Sequence, residues 1–161
     1  MPKQRVGAFA PPAVSVAVAA RRRRGVQATQ VRRDAAQLLK LLGVRGELSI
    51  ALVGDAEIRA LNAAYRGADR PTDVLAFAQR EGEDAGLHPD LLGDVVISLD
   101  TAAGQAAARG ISVADEIRTL LIHGVLHLLG YNHERSATEA RCMFAKQRQL
   151  ARRLALVDAH R

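Results

Sequence analysis

The chain has 161 residues, 48% of them hydrophobic, with a formal net charge of +6, five histidines and one cysteine. That length and apolar content suit a single domain over residues 1–161, long enough to bury a real core. The lone Cys142 excludes an internal disulfide and fits a reducing compartment, so the cytoplasm is the default location, and no run of about 18 apolar residues is present to cross a membrane.

Residues 1–12, with Pro2, Pro11 and Pro12, read as a loose tail, with no basic region leading into a long apolar run as a secretory signal would have. Val14–Val18 alternates apolar and small residues and predicts a strand. Arg21–Arg24 is the densest charge run of the chain. The first 46 residues carry ten Lys/Arg against Asp34 alone, a net +9, while the remainder carries thirteen against sixteen acids, a net −3. A basic end on a near-neutral body points to a polyanion partner and to phosphate contact by the arginine run. No aromatic residue alternates with those arginines, so base stacking by that run is not expected.

Thr29 is a plausible N-cap for a helix over 30–42, with Val31, Ala35, Leu38, Leu39 and Leu42 on one face and Gly43 as its stop. Glu47–Val53 predicts a second strand. Asp55 is expected to cap a helix through Tyr65 with Ile58, Leu61 and Ala64 inward, ended by Gly67. Asp69–Asp73 reads as a turn around Pro71, followed by a short strand over Val74–Phe77. The acidic stretch 80–90, which contains His88, reads as an exposed loop. Leu92–Ser98 predicts another strand, and Asp100 to Arg109 a helix closed by Gly110. A helix from Ser112 or Ala114 to Leu129 follows. The last helix covers roughly 135–156, with Ala140, Met143, Phe144, Leu150 and Leu154 as its apolar stripe and Cys142 as a small buried residue. Four strands and about five helices, only partly alternating, predict an α+β fold. Aromatic residues are only 3% and tryptophan is absent, so the core must be built from Leu, Val, Ile and Ala.

The chemistry concentrates in His123-Gly124-Val125-Leu126-His127-Leu128-Leu129-Gly130-Tyr131-Asn132-His133, which holds three of the five histidines. On a helix, His123 and His127 share one face, a turn apart. Gly130 falls where the helix should end, and the reversal there can bring His133 back toward the other two. Three neutral nitrogen ligands with an open fourth position describe a catalytic metal site, since a structural zinc site fills all four positions with protein. Zinc suits the geometry, and three imidazoles also suit nickel or copper. The spacing matches the metal ligands and glycine of the metzincin metalloproteases. Their general base, a glutamate directly after the first histidine, is replaced here by Gly124, which leaves a metallopeptidase as a remote alternative. The apolar run around the two imidazoles predicts a mostly buried helix whose nitrogens need partners, of which a metal would be one. His160 has an exposed, polar context and is assigned nothing. Thr72 and Asp73 read as turn-shaping residues, and Arg70 as a further phosphate contact.

This eleven-residue stretch resembles the signature of the YbeY family of bacterial metal-dependent endoribonucleases. Two upstream stretches agree: Leu61-Asn62-x-x-Tyr65-Arg66-Gly67-x-Asp69-x-Pro71-Thr72-Asp73-Val74-Leu75-Ala76-Phe77, and Leu92-Gly93-Asp94-Val95-Val96-Ile97-Ser98. The likeness runs from about residue 48 to 134 in the family's order. The family usually has aspartate before the third histidine, where this chain has Asn132, which can hydrogen-bond but carries no charge. The resemblance implies a small mixed sheet packed with helices, the metal helix in the middle, and single-strand-specific cleavage of RNA in the 3′-end maturation of 16S ribosomal RNA and in ribosome quality control. It implies a catalytic role for Arg66 on the charge that develops at the phosphate, beside His123, His127 and His133 as metal ligands. It also implies contacts with the small ribosomal subunit, its proteins and an assembly GTPase. The alternative is a non-catalytic ribosome-assembly factor whose metal is structural.

Overall fold

The computed structural model describes residues 13–19, 25–79 and 91–160. The expected tail, the Arg21–Arg24 run and the acidic loop with His88 lie outside the described residues. The elements run β1 (Val14–Val18), α1 (Ala28–Leu42), β2 (Glu47–Val53), α2 (Asp55–Arg66), β3 (Val74–Ala78), β4 (Leu91–Ser98), α3 (Leu99–Arg109), α4 (Val113–Leu128) and α5 (Ala137–Ala159). The four strands form one mixed sheet in the order β1-β2-β4-β3. β1 and β4 both run parallel to β2, and β3 runs antiparallel to β4. The α+β architecture expected from the sequence is the one observed.

Period-two patterning decides which side of the sheet is dry. Val16, Ile50, Val95 and Ala76 stand in register across all four strands. They face the main core, which α1, α4 and α5 fill with Leu38, Leu39, Leu121, Leu126, Met143 and Leu150. Side chains one residue along point to the opposite face. There, among the described residues, α2 covers the sheet through a smaller cluster of Val53, Ile58, Leu75 and Val96. The largest fully buried side chains are all leucine and isoleucine, as a chain so poor in aromatics requires.

α4 is central, packing on β3 and β4 as well as on α1, α3 and α5. Two glycines make this closeness possible. A Cβ on Gly124 would lie 2.7 Å from Val95 Cγ1 and 3.2 Å from Val74 Cγ2, so the helix meets the sheet where it has no side chain. Gly93, in β4, has φ +148°, and a Cβ there would sit 2.3 Å from the Phe77 carbonyl oxygen and 2.9 Å from Leu128 Cδ2. Two ion-pair systems hold the helices further. Arg118 on α4 donates to Asp34 of α1 and to Asp158 of α5, and Arg109 donates to the buried Glu116 at 2.9 Å.

Several local expectations need correction. α1 begins at Ala28 with Gln27 as its cap and no side-chain cap bond, so Thr29 lies exposed in the first turn rather than before it. Asp55 is inside α2, whose cap is Gly54; Glu57 instead accepts the Gly54 amide at 3.0 Å. The Asp55 carboxylate accepts from Ser98 and Thr101 hydroxyls at 2.6 Å each, tying α2 to the β4–α3 junction. The inward face of α2 is Ile58 and Asn62; Leu61 is half-buried and Ala64 exposed. Asn62 is buried because its amide donates to the Arg70 carbonyl at 2.9 Å, closing the turn that follows the helix. Cys142 and Phe144 are exposed rather than buried: the buried residues of α5 are Met143, Leu150 and Leu154.

Candidate metal centre

The site is assembled by the end of α4 and the turn after it. Ser112 caps α4 by accepting the Asp115 amide at 3.1 Å, which fixes where the helical count begins. Eleven and fifteen residues further on, His123 and His127 emerge on one face. The helix stops at Leu128. Gly130, at φ +93°, donates its amide to the His127 carbonyl at 3.0 Å, and the Tyr131 amide donates to the Leu126 carbonyl at 3.0 Å. This is the left-handed reversal that glycine favours at a helix end. Asn132 then makes an Asx turn, its side-chain oxygen accepting the Glu134 amide at 2.7 Å. An aspartate would accept the same bond, so the neutral side chain keeps the turn that presents His133.

The reversal does bring the third histidine back. Ring centroids lie 4.7 Å apart for His123–His127 and 5.2 Å for each pair with His133. One nitrogen from each ring falls within 4.8 Å of the others. Nitrogens on one tetrahedral zinc stand about 3.4 Å apart, given bonds of 2.0–2.1 Å, and His123 Nε2 and His127 Nε2 are already at 3.1 Å. The donor set fits a borderline-soft divalent cation with three imidazoles and no fourth protein ligand within that cluster. Gln147 on α5, which nothing in the sequence singled out, accepts from His123 Nδ1 at 2.8 Å and thereby aims Nε2 inward. Its signal lay in its place three residues after Phe144, on the same face of α5.

Burial keeps the His123 and His127 rings in the form that binds metal. His123 is lowered from its ordinary value, chiefly by burial, against the opposing bond to Gln147. His127 is lowered to about 4, first by burial and then by the charges of His123 and His133, against a hydrogen bond with the Tyr131 backbone. Between about pH 6.5 and 4, an unfolded chain takes up the proton that folded His127 refuses. The metal-free protein is therefore expected to lose stability as pH falls through that window and to level off below it. Proton titration of the His127 ring by NMR should give a midpoint near 4; a midpoint near 6.5 would mean that the ring is solvated.

The histidines open into a cleft of about 930 Å³. Arg66, Arg70 and Arg135 line it together with Asp73 and Glu134. Arg66 is the last residue of α2, and its guanidinium donates to the Ala76 carbonyl at 2.8 Å while standing 5.8 Å over the Phe77 ring. Both β3 contacts hold the cation on the cleft wall rather than over its own helix end. Arg70 sits on the turn that Asn62 closes. Asp73 accepts from the Val74 amide at 2.8 Å and from Gln105 Nε2 at 3.1 Å, so its carboxylate shapes the turn into β3. His160 lies exposed, bonded to the Leu156 carbonyl at 2.7 Å, outside the cluster. Gly124, flanked by two of the histidines in sequence, faces the sheet, so α4 presents no carboxylate to the centre at that position.

A family model described as endoribonuclease YbeY matches residues 18–155. The endoribonuclease YbeY of Geobacter metallireducens is 46% identical over 140 residues, covering 85% of this chain and 93% of that relative. The one from Syntrophotalea carbinolica is 52% identical over 109 residues, covering 67% and 73%. Among solved structures, the solution structure of a Thermotoga maritima protein superposes with a TM-score of 0.59 at 25% identity, covering 87% of this chain and 89% of the other.

Proposed function

The chain belongs to the endoribonuclease YbeY family, and on that premise we propose that it is a metal-dependent hydrolase cleaving single-stranded RNA, with precursor ribosomal RNA as its substrate. The observation that carries this reading is the convergence of three imidazole nitrogens within 4.8 Å in an arginine-lined cleft. His123, His127 and His133 would hold one cation, zinc by donor set. When bound, it supplies Lewis acidity, lowering the pKa of water toward about 7 and drawing charge from a phosphoryl oxygen.

The remaining work falls to the chain. Gln147 holds His123 with Nδ1 turned away from the centre. The Asn132 turn presents His133. Arg66 spends one donor on Ala76 and keeps others for the phosphate, where charge builds as the bond breaks. Arg70 and Arg135 add cation to the wall that receives the backbone. Because Gly124 offers no proton acceptor, water or the RNA 2′-hydroxyl must lose its proton to another group, and positioning of the strand takes a larger share of the rate. Action in 16S 3′-end maturation, with small-subunit proteins and an assembly GTPase as partners in the cytoplasm, is the biological setting we propose; among the described residues no helix is long and apolar enough to cross a membrane.

The test is metal removal. Chelation should abolish cleavage of an unpaired oligoribonucleotide by purified protein, and one equivalent of zinc should restore it. Cleavage that persists in protein shown by elemental analysis to hold no metal would overturn the reading.

A further inference from the structure

Aromatic side chains usually carry much of a core, because each buries a large apolar area. Here they do not. The chain has five Phe and Tyr residues in all, and Phe9 lies outside the described residues. The other four stand around the metal cleft. Tyr65, Phe77 and Tyr131 line it. Phe144 on α5 stacks on His133 with ring centroids 5.7 Å apart and planes 14° apart, and it lines an adjoining cavity of about 370 Å³ that shares His123 with the cleft. Phe77 and Tyr131 are half-buried, whereas Tyr65 is 68% and Phe144 40% exposed. Two large apolar rings left in water beside one site, in a protein with no aromatic ring among its buried core residues, call for an occupant with flat apolar faces.

We propose that Tyr65, on the α2 wall, and Phe144, on the α5 wall, are base-stacking sites, each receiving one unpaired base of the RNA strand whose backbone passes the metal centre. This rests on the nuclease reading above and extends it to how the strand is held. Tyr65 is braced to support a base. It meets Phe77 edge-to-face at 5.3 Å, and the Arg66 cation lies over the Phe77 ring of that pair. Phe144 is braced by the histidine rings beneath it. Arg66, Arg70 and Arg135 line the same cleft and complement phosphates rather than a protein's apolar face. Bases paired in a duplex have no free face to offer, so two such platforms select unpaired RNA while tolerating any sequence.

Steady-state cleavage of a short unstructured oligoribonucleotide tests this. Tyr65→Ala is expected to raise KM about 5- to 150-fold, the range for losing one stacked base, with kcat and metal content retained, and Tyr65→Phe should restore the wild-type KM. The salt dependence of KM should be unchanged in Tyr65→Ala, whereas Arg70→Ala should flatten its logarithmic slope by about 0.7, the value for one phosphate on a single strand. Phe144→Leu should behave as Tyr65→Ala does. With wild-type protein, scanning an abasic site along the substrate should find a position where the loss matches that of Tyr65→Ala and adds nothing further in the variant. Wild-type KM in both variants overturns the stacking assignment and leaves these rings to a protein contact. If the wild-type protein neither binds nor cleaves the oligonucleotide, the nuclease reading itself falls, and this inference with it.

Discussion

Protein carrying His127→Ala is expected to purify folded, to retain less than roughly a tenth of an equivalent of metal, and to lose RNA cleavage by more than about 100-fold. The magnitude follows from the donor count. Losing a group that merely orients a metal-bound histidine already costs about 10- to 100-fold in affinity, and here one of the three proposed ligands is itself removed. Folding should survive because the side chain is half-buried and lines the cleft, while its neighbours Leu126 and Leu128 hold the core. The variant also separates two explanations of any lost activity. It lacks the ring whose proton affinity is pushed to about 4, so its metal-free form should be less sensitive to acid between about pH 6.5 and 4 than metal-free wild type. A folded variant with full metal content, or one that still cleaves at the wild-type rate, would remove the imidazole cluster from the mechanism.

That cluster was legible from residue spacing alone because each part of it obeys a local rule. Four-residue spacing on a helix, a glycine at the helix end and a third histidine three residues later need no knowledge of the sheet. The four strands were legible too, since they show period-two or continuous apolar runs bounded by turns, whereas their joining into one mixed sheet was implied by the family resemblance. What the sequence hid was set by packing between elements. Asp55 looked like a cap and is instead a bridge to Ser98 and Thr101, more than forty residues away in the chain. Asn62 is outside the apolar face read from helical spacing, yet it is buried by a bond to the Arg70 carbonyl. Phe144 fitted an apolar stripe, yet α5 is buried along a narrower line and leaves that ring over the histidines. Gln147 shares a face of α5 with Phe144, but its bond to His123 depends on where α4 lies. In each case the deciding partner is set by the fold, and periodicity carries no information about it.

Gly124 shows the same limit and supports the second large prediction. Sequence alone marks it as the missing glutamate of a peptidase; its place in the fold supplies the reason for the glycine. A β-carbon there would press 2.7 Å from one Val95 methyl and 3.2 Å from a Val74 methyl, where α4 lies directly on β3 and β4. Gly124→Glu, which recreates the peptidase motif, must place a carboxylate among those valines. Overpacking costs about 1–3 kcal/mol, and a buried carboxylate without a partner adds several more, against a total stability of roughly 5–15 kcal/mol. The variant is therefore expected to be largely unfolded or insoluble and to gain no peptidase activity. Gly124→Ala isolates the steric part. It should lower the unfolding midpoint despite the better helix propensity of alanine, whereas Gly104→Ala, in α3 with nothing within 4 Å of its added carbon, should raise stability by up to about 1 kcal/mol. If the contact with Val95 is the cause, Gly124→Ala combined with Val95→Ala should be more stable than the sum of the two single losses predicts. Strict additivity in denaturant unfolding, or a Gly124→Glu protein as stable as wild type, would show that α4 has room to move off the sheet and that packing does not account for the glycine.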